Sequence, residues 1–276
     1  MPYAGYSCLK TRLDRGVLFV TIDHPPINLF DLPLMREMDQ IGREIEADDA
    51  VRVVVFDSAN PDFFIAHADV NLILQLPKVA PPKADHLGFF HAMVDRFRTM
   101  PKVSIAKIEG RARGAGSEFV LSLDMRFGAL GRAILAQPEV AVGIIPGGGG
   151  TQRLPRLMGH GRALEVVLGC DDFPADLAER YGYINRALPP GELGPFVEQL
   201  AYRIATFSPE AIALAKASVS CAELPTTQGL IEEAHYFNQA VATDTAQKRM
   251  RKFLELGAQT YEVELDRRFL ADQLAE

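Results

Sequence analysis

Two glutamates, each beside a glycine-bearing segment, are the residues of this chain whose type and spacing could do chemistry. Glu118 closes the segment Gly110-Arg-Ala-Arg-Gly-Ala-Gly-Ser-Glu118, in which Gly114 and Gly116 flank Ala115. Glu139 closes Gln137-Pro-Glu139, just ahead of Ile145-Pro-Gly-Gly-Gly-Gly-Thr-Gln-Arg-Leu154. Glycine at a loop-to-helix junction lets a bulky ligand approach the main chain, and a helix start leaves N–H groups unpaired and partially positive. Such a site can hold a developing oxyanion, while a carboxylate nearby takes or gives a proton. Together the parts suit proton transfer beside an activated carbonyl.

Each residue also has a plainer reading. Glu118 alone, in the first turn of a helix, would complement the helix dipole, and Glu139 alone would be a turn residue after proline. The run Gly147 to Gly150 reads as a loop or helix entry, Asp69 as a helix cap, and Asp124 as a residue that pins a loop. Other chemistries find fewer parts. Gly114-Ala-Gly116 lacks the third glycine of a dinucleotide fingerprint, and there is no Gly-Lys-Ser/Thr phosphate loop. His86 and His91 miss the helical metal spacing. No Gly-x-Ser-x-Gly elbow offers a serine nucleophile. Cys8, Cys170 and Cys221 are odd in number and far apart, which argues against disulfides or zinc. No metal and no separate cofactor are expected.

The elements that must position these residues follow from local pattern. Tyr6 to Leu13 and Val17 to Ile22 flank Asp14-Arg15-Gly16, a hairpin turn. Leu34, Met38, Ile41 and Ile45 recur at helical spacing. Val51 to Phe56 and Val103 to Ile108 are short β-branched runs of the kind buried on both faces. The second runs into the glycine loop and a short helix from Gly116 to about Leu123. Between them, Asp69 to Leu76 and His86 to Met100 read as helices divided by the proline-rich break Pro77 to Pro82. This alternation predicts an α/β layer architecture, without any sequence repeat to mark a repeating unit.

From about Ala175 the pattern becomes helical. Ser208-Pro209-Glu210 reads as a helix start. Leu230, Ala234, Phe237 and Val241 form one apolar stripe, and Met250, Phe253 and Leu254 another. Residues 1–200 are therefore expected to form an α/β core and residues 201–276 a helical region that packs on the core, on another subunit, or on both.

A chain of 276 residues with 48% hydrophobic and 24% charged residues can bury a large core. Its formal charge of −7, with acids and bases mixed, leaves no basic stripe for nucleic acid. No apolar run approaches the roughly 20 residues needed to cross a bilayer, and the first residues lack a basic-then-apolar signal segment. Neither nucleic acid nor membrane is expected as a partner, and the cytoplasm is the expected compartment.

Three segments together resemble the enoyl-CoA hydratase/isomerase (crotonase) superfamily, from about Val17 to Leu168. They are Val20-Thr-Ile-Asp-His-Pro-Pro-Ile-Asn28, then Val53-Val-Val-Phe-Asp-Ser with Phe64-Ile-Ala-His-Ala-Asp69, and then Ile105 through Glu118, Asp124, Gln137-Pro-Glu139 and the Ile145 to Leu154 run. The resemblance implies the ClpP/crotonase fold: repeated β-β-α units with C-terminal helices that assemble a homotrimer or a hexamer built as a dimer of trimers. It implies an acyl-CoA thioester as substrate and a place in fatty acid metabolism. It also assigns roles. The N–H groups of Ala68 and Ala115 would form the oxyanion hole, Glu118 would activate water, and Glu139 would protonate C2. Coenzyme A would lie along Ala66, Ala68, Asp69, Val70 and Asn71, with Gly114 and Ala115 beside the thioester.

Family members that only shift a double bond usually keep one working carboxylate, so two carboxylates point to hydration of a 2-enoyl-CoA. Isomerisation, another acyl-CoA lyase or hydrolase reaction, and non-catalytic thioester binding are the alternatives. Two positions depart from the family pattern: His67 and Ala115 stand where glycine is usual. If either needed φ > 0, its Cβ would be disfavoured.

Overall fold

The N-terminal hairpin turns where the residues allow a left-handed backbone. Leu9–Asp14 (β1) and Val17–Ile22 (β2) pair antiparallel with Asp14 opposite Val17. Arg15 and Gly16 make the corner with φ of 47° and 79°, as a two-residue type I′ turn requires. The first strand begins at Leu9 rather than at Tyr6. The amides of Ser7 and Cys8 donate to the Glu37 carboxylate instead, each at 2.8 Å.

The computed structural model describes residues 3–207, 209–220, 231, 234–235, 237–239 and 241–265. Ser208 and Leu230, singled out above, lie outside the described residues, as does Cys221. Leu32–Ala47 (α1) starts at Asp31, whose side chain accepts the Leu34 N–H at 3.0 Å. Its stripe Leu34, Met38, Ile41 and Ile45 is fully buried, as its spacing predicts.

Beyond α1 the chain repeats one move three times. Val53–Ser58 (β3), Phe63–Ile65 (β4) and Val70–Leu74 (α2) make the first unit. After Phe89–Thr99 (α3), the second is Val103–Ile108 (β5), Arg111–Arg113 (β6) and Ala115–Leu121 (α4). The third is Met125–Ala129 (β7), Ile134–Ala136 (β8) and the 3₁₀ turn Glu139–Val142. In each unit the first strand joins a six-stranded sheet and the second a four-stranded sheet. These are the β-β-α repeats that the resemblance implies, hidden in the sequence because strands share a hydrophobic pattern rather than identities.

The consequence for the site is geometric. In the smaller sheet β4, β6 and β8 run parallel and adjacent, so the chain leaves all three at one edge. Asp69, Gly114 and Pro138 begin the next segment at that edge.

The larger sheet runs β1-β2-β3-β5-β7-β10, with Arg186–Leu188 as β10, and all its pairs after the hairpin are parallel. One face carries Phe56, Phe97 and Phe119 packed edge to face at 5.1 to 5.7 Å. The other meets Leu193, Val197 and Ala201 of Pro190–Ala205 (α8). Burial on both faces accounts for the unbroken apolar runs of β3 and β5. Gly150–Met158 (α5), His160–Gly169 (α6) and Ala175–Tyr181 (α7) precede α8, and Phe173–Pro174 (β9) closes the smaller sheet.

Helix α8 is continuous across residues 200 and 201. Pro209–Ser220 (α9) follows, and the helices Asp244–Glu255 and Tyr261–Leu265 end the described chain. Met250 and Phe253 of the first of these are buried against Val70, Val142 and Ile144, so this part of the helical region packs on the core that carries the site. Among the described residues no helix is long and apolar enough to cross a membrane.

Candidate active site

The edge where the three units converge opens into a cavity of about 400 Å³. Glu118, Glu139, Ala68, Ala115, Gly114, Asp69 and Val70 all line it. The remaining wall is largely apolar, from Leu72, Ile73, Leu76 and Phe90 on one side and Phe237, Met250 and Phe253 on another. Ala66 and Asn71 are not among the lining residues. Ala66 is fully buried in a cluster with Ile27 and Phe63 and its N–H donates to Ile27 O at 3.2 Å, while Asn71 points to solvent.

Glu118 lies in the first turn of α4, 3% exposed. Its Oε1 accepts N–H bonds from Gly148 at 2.7 Å and Gly150 at 2.9 Å. Gly150 begins α5, so the carboxylate sits at the positive end of that helix. This is the role of the glycine run: it carries no side chain and leaves its amides free to grip an acid. Arg153 braces the run from behind, donating to Gly148 O and to Asp95, both at 3.3 Å. The opposite side of α4 is fixed by Ser117, whose hydroxyl is 2.6 Å from that of Tyr183. Burial pushes the Tyr183 phenol well above its ordinary value, so it stays protonated and able to donate.

Glu139 opens the 3₁₀ turn after Pro138. Its carboxylate reaches back over the loop that leads into α4: a Cβ placed on Gly114 would stand 2.9 Å from Glu139 Oε1 and 3.3 Å from the His67 Cβ. Gly114 also has φ 50° and ψ −126°, a backbone that side chains avoid. The positive φ of this loop thus falls on Gly114, and neither His67 nor Ala115 has one. Their Cβ atoms cost nothing in backbone strain.

Ala115 is the first residue of α4, where an N–H has no partner within the helix. Ala68 lies in the loop between β4 and α2, bridged to Phe30. The Phe30 N–H donates to His67 O at 2.8 Å. That carbonyl belongs to the same peptide unit as the Ala68 N–H, so the bond polarises the unit and strengthens it as a donor. Asp69 caps α2 by accepting the Asn71 N–H at 2.9 Å, as the sequence predicts. Asp124, outside the cavity, accepts from Ser104 and from Lys216 and pins its loop.

His67 both packs and faces the cavity. It is 5% exposed, with Nδ1 2.8 Å from Ala68 O and Nε2 2.7 Å from Glu264 Oε1. Glu264, Phe237 and the amides of Gly148 and Gly150 are the parts of the site that sequence reasoning did not connect. The glycine run and the C-terminal apolar stripes were visible signals, but nothing local says what they face.

Comparison with known proteins shows the family. The family model for enoyl-CoA hydratase/isomerase matches residues 12–264. A short-chain-enoyl-CoA hydratase from Clostridium acetobutylicum is 32% identical over 241 residues, covering 87% of this chain and 91% of that protein. A crotonyl-CoA hydratase from Syntrophomonas wolfei is 32% identical over 253 residues, covering 91% and 96%. A Streptomyces avermitilis crystal structure carrying an enoyl-CoA hydratase assignment superposes with a TM-score of 0.90 at 39% identity, covering 98% of this chain and 99% of that one. With its β-β-α core, its C-terminal helices and these relatives, the chain belongs to the enoyl-CoA hydratase/isomerase family.

Proposed function

We propose that this protein adds water across the double bond of a 2-enoyl-CoA to give a 3-hydroxyacyl-CoA. The observation that carries the reading is that Glu118, Glu139, Ala68 and Ala115 line one cavity. The thioester oxygen takes the N–H groups of Ala68 and Ala115. Glu118 removes a proton from water as its oxygen bonds to C3, and the electron pair of the double bond moves toward the thioester to form an enolate. Glu139 then delivers a proton to C2. Two aimed donors favour the enolate over the neutral carbonyl, which is the condition for lowering the barrier. No cofactor beyond the coenzyme A of the substrate enters this scheme.

Coenzyme A would approach past Asp69 and Val70, and the apolar wall would receive the acyl chain. The relatives named as short-chain-enoyl-CoA and crotonyl-CoA hydratases make crotonyl-CoA the first substrate to assay. A homotrimer, or a hexamer of two trimers, accords with the exposed apolar residues Leu164 and Leu168 on α6 and Leu214 and Val219 on α9; sedimentation gives the mass directly. The decisive test is incubation with a panel of acyl-CoA thioesters and measurement of product mass. Hydration adds the mass of one water to crotonyl-CoA, whereas an unchanged mass with a shifted double bond, or release of free coenzyme A, overturns the reading.

A further inference from the structure

One residue of the C-terminal segment touches both loops that carry the amide donors. The Glu264 side chain is fully buried, and its Oε1 is 2.7 Å from His67 Nε2 and accepts the Gln259 N–H at 2.9 Å. Its main-chain carbonyl accepts from Arg113 Nη1 at 2.8 Å. His67 directly precedes Ala68, and Arg113 directly precedes Gly114 and Ala115. A second clip acts on the first loop, where Gln259 Nε2 donates to Asp69 Oδ1 at 2.8 Å. The first loop is therefore held on both sides of Ala68 by residues 259 and 264, and the second by the backbone of residue 264.

The protons can be placed from the partners. Ala68 O only accepts, so His67 Nδ1 carries a hydrogen, and one further proton lies between Nε2 and Glu264 Oε1. Arg113 is 1% exposed and its other nitrogens grip Asp172 at the surface, so drift of the second loop would break an ion pair whose guanidinium end is buried. A short N–H donor network of this kind is stiff only while every partner is present.

We propose that Glu264 is a positioning residue that sets the spacing of the Ala68 and Ala115 amides, through its carboxylate on one loop and its carbonyl on the other. This rests on the oxyanion-hole reading given above. It makes His67 the handle by which the C-terminal segment holds the first loop, a function that glycine at this position cannot provide.

The test uses the full chain with Glu264→Gln and Glu264→Ala. Three quantities are read: kcat and KM for crotonyl-CoA hydration, and the near-ultraviolet enolate band of bound acetoacetyl-CoA, which reports the strength of the two donors without any need for Glu118 or Glu139. Glutamine is isosteric, and its oxygen can take the place of Oε1 between the Gln259 N–H and His67 Nε2, so it should retain all three within about threefold. Alanine releases the loop and should lower kcat by about tenfold or more with KM within about threefold, and weaken the band in parallel. Parental kcat and band in the alanine variant, a loss confined to KM, or a glutamine variant as damaged as the alanine one would each overturn the proposal. If the alanine variant does not fold, His67→Ala removes the partner of the same carboxylate and should lower kcat by about tenfold with KM within about threefold and weaken the band; a parental kcat and band would overturn the proposal. A parent that shifts the acetoacetyl-CoA band but hydrates nothing would sink the hydratase reading and leave this one standing, and a parent that does neither would sink both.

Discussion

Gly148 lies so close to Glu118 that a Cβ on it would stand 2.5 Å from Glu118 Oε2. The same Cβ would also be 2.5 Å from the ring of Phe90, so an added side chain must displace its neighbours. The glycine is a steric condition for seating the carboxylate, and its N–H then holds that carboxylate in place. Gly148→Ala should push the acid aside and lower kcat for crotonyl-CoA by about 10²-fold, the scale on which a displacement of about 1 Å acts. Steady-state kinetics beside an unchanged circular dichroism spectrum checks this, and a parental kcat would show that the acid's seat does not matter.

Glu118→Gln and Glu139→Gln keep shape while removing the proton-transfer group. Each should cost about 10²–10⁴ in hydration rate and leave folding intact. Glutamine at residue 118 can still accept from Gly148 and Gly150 through its carbonyl oxygen, so a loss there reports chemistry rather than structure. Hydration of crotonyl-CoA at the parental rate by both variants would refute the assigned roles.

Ser117 and Tyr183 make a buried hydroxyl pair behind α4. Ser117→Ala removes one partner and leaves the phenol with Gln137, whose Nε2 is 3.4 Å away. A loss of about 1–3 kcal/mol in unfolding free energy is expected. Urea denaturation would show a lower midpoint with an unchanged slope.

Acid sensitivity should have one identifiable source at the N-terminus. Burial raises the Glu37 pKa, but the Ser7 hydroxyl and the amides of Ser7 and Cys8 outweigh it, and the net shift is downward. A carboxylate lowered on folding adds stability that is fully present above its unfolded pKa, about 4.3, and is lost as pH falls through the lower folded value. Glu37→Gln should therefore flatten the dependence of melting temperature on pH below about 4.3 and reduce stability at neutral pH. Thermal scans at a series of pH values decide it; parallel parental and variant curves would remove Glu37 as a source.

Much of this molecule is legible before any coordinates exist. The hairpin turn at Arg15-Gly16, the stripe of α1, the buried runs of β3 and β5, and the Asp69 cap are local facts, set by backbone preferences and by the period of apolar residues. The two glutamates could be singled out because acids beside glycine loops are a chemically unusual combination, and the ordered motifs around them identified the family. What the chain order could not supply is adjacency. That β4, β6 and β8 lie side by side, so that three segment starts converge on one cavity, depends on strand pairing over long sequence separations. That Gly148 and Gly150 face Glu118, and that Glu264 reaches His67 across 197 positions, depends on how helices close over the sheet edge. Local propensity and hydrophobic period act over a few residues, whereas the bonds that aim the site form only after the core has packed and brought distant polar groups into a dry, shared space.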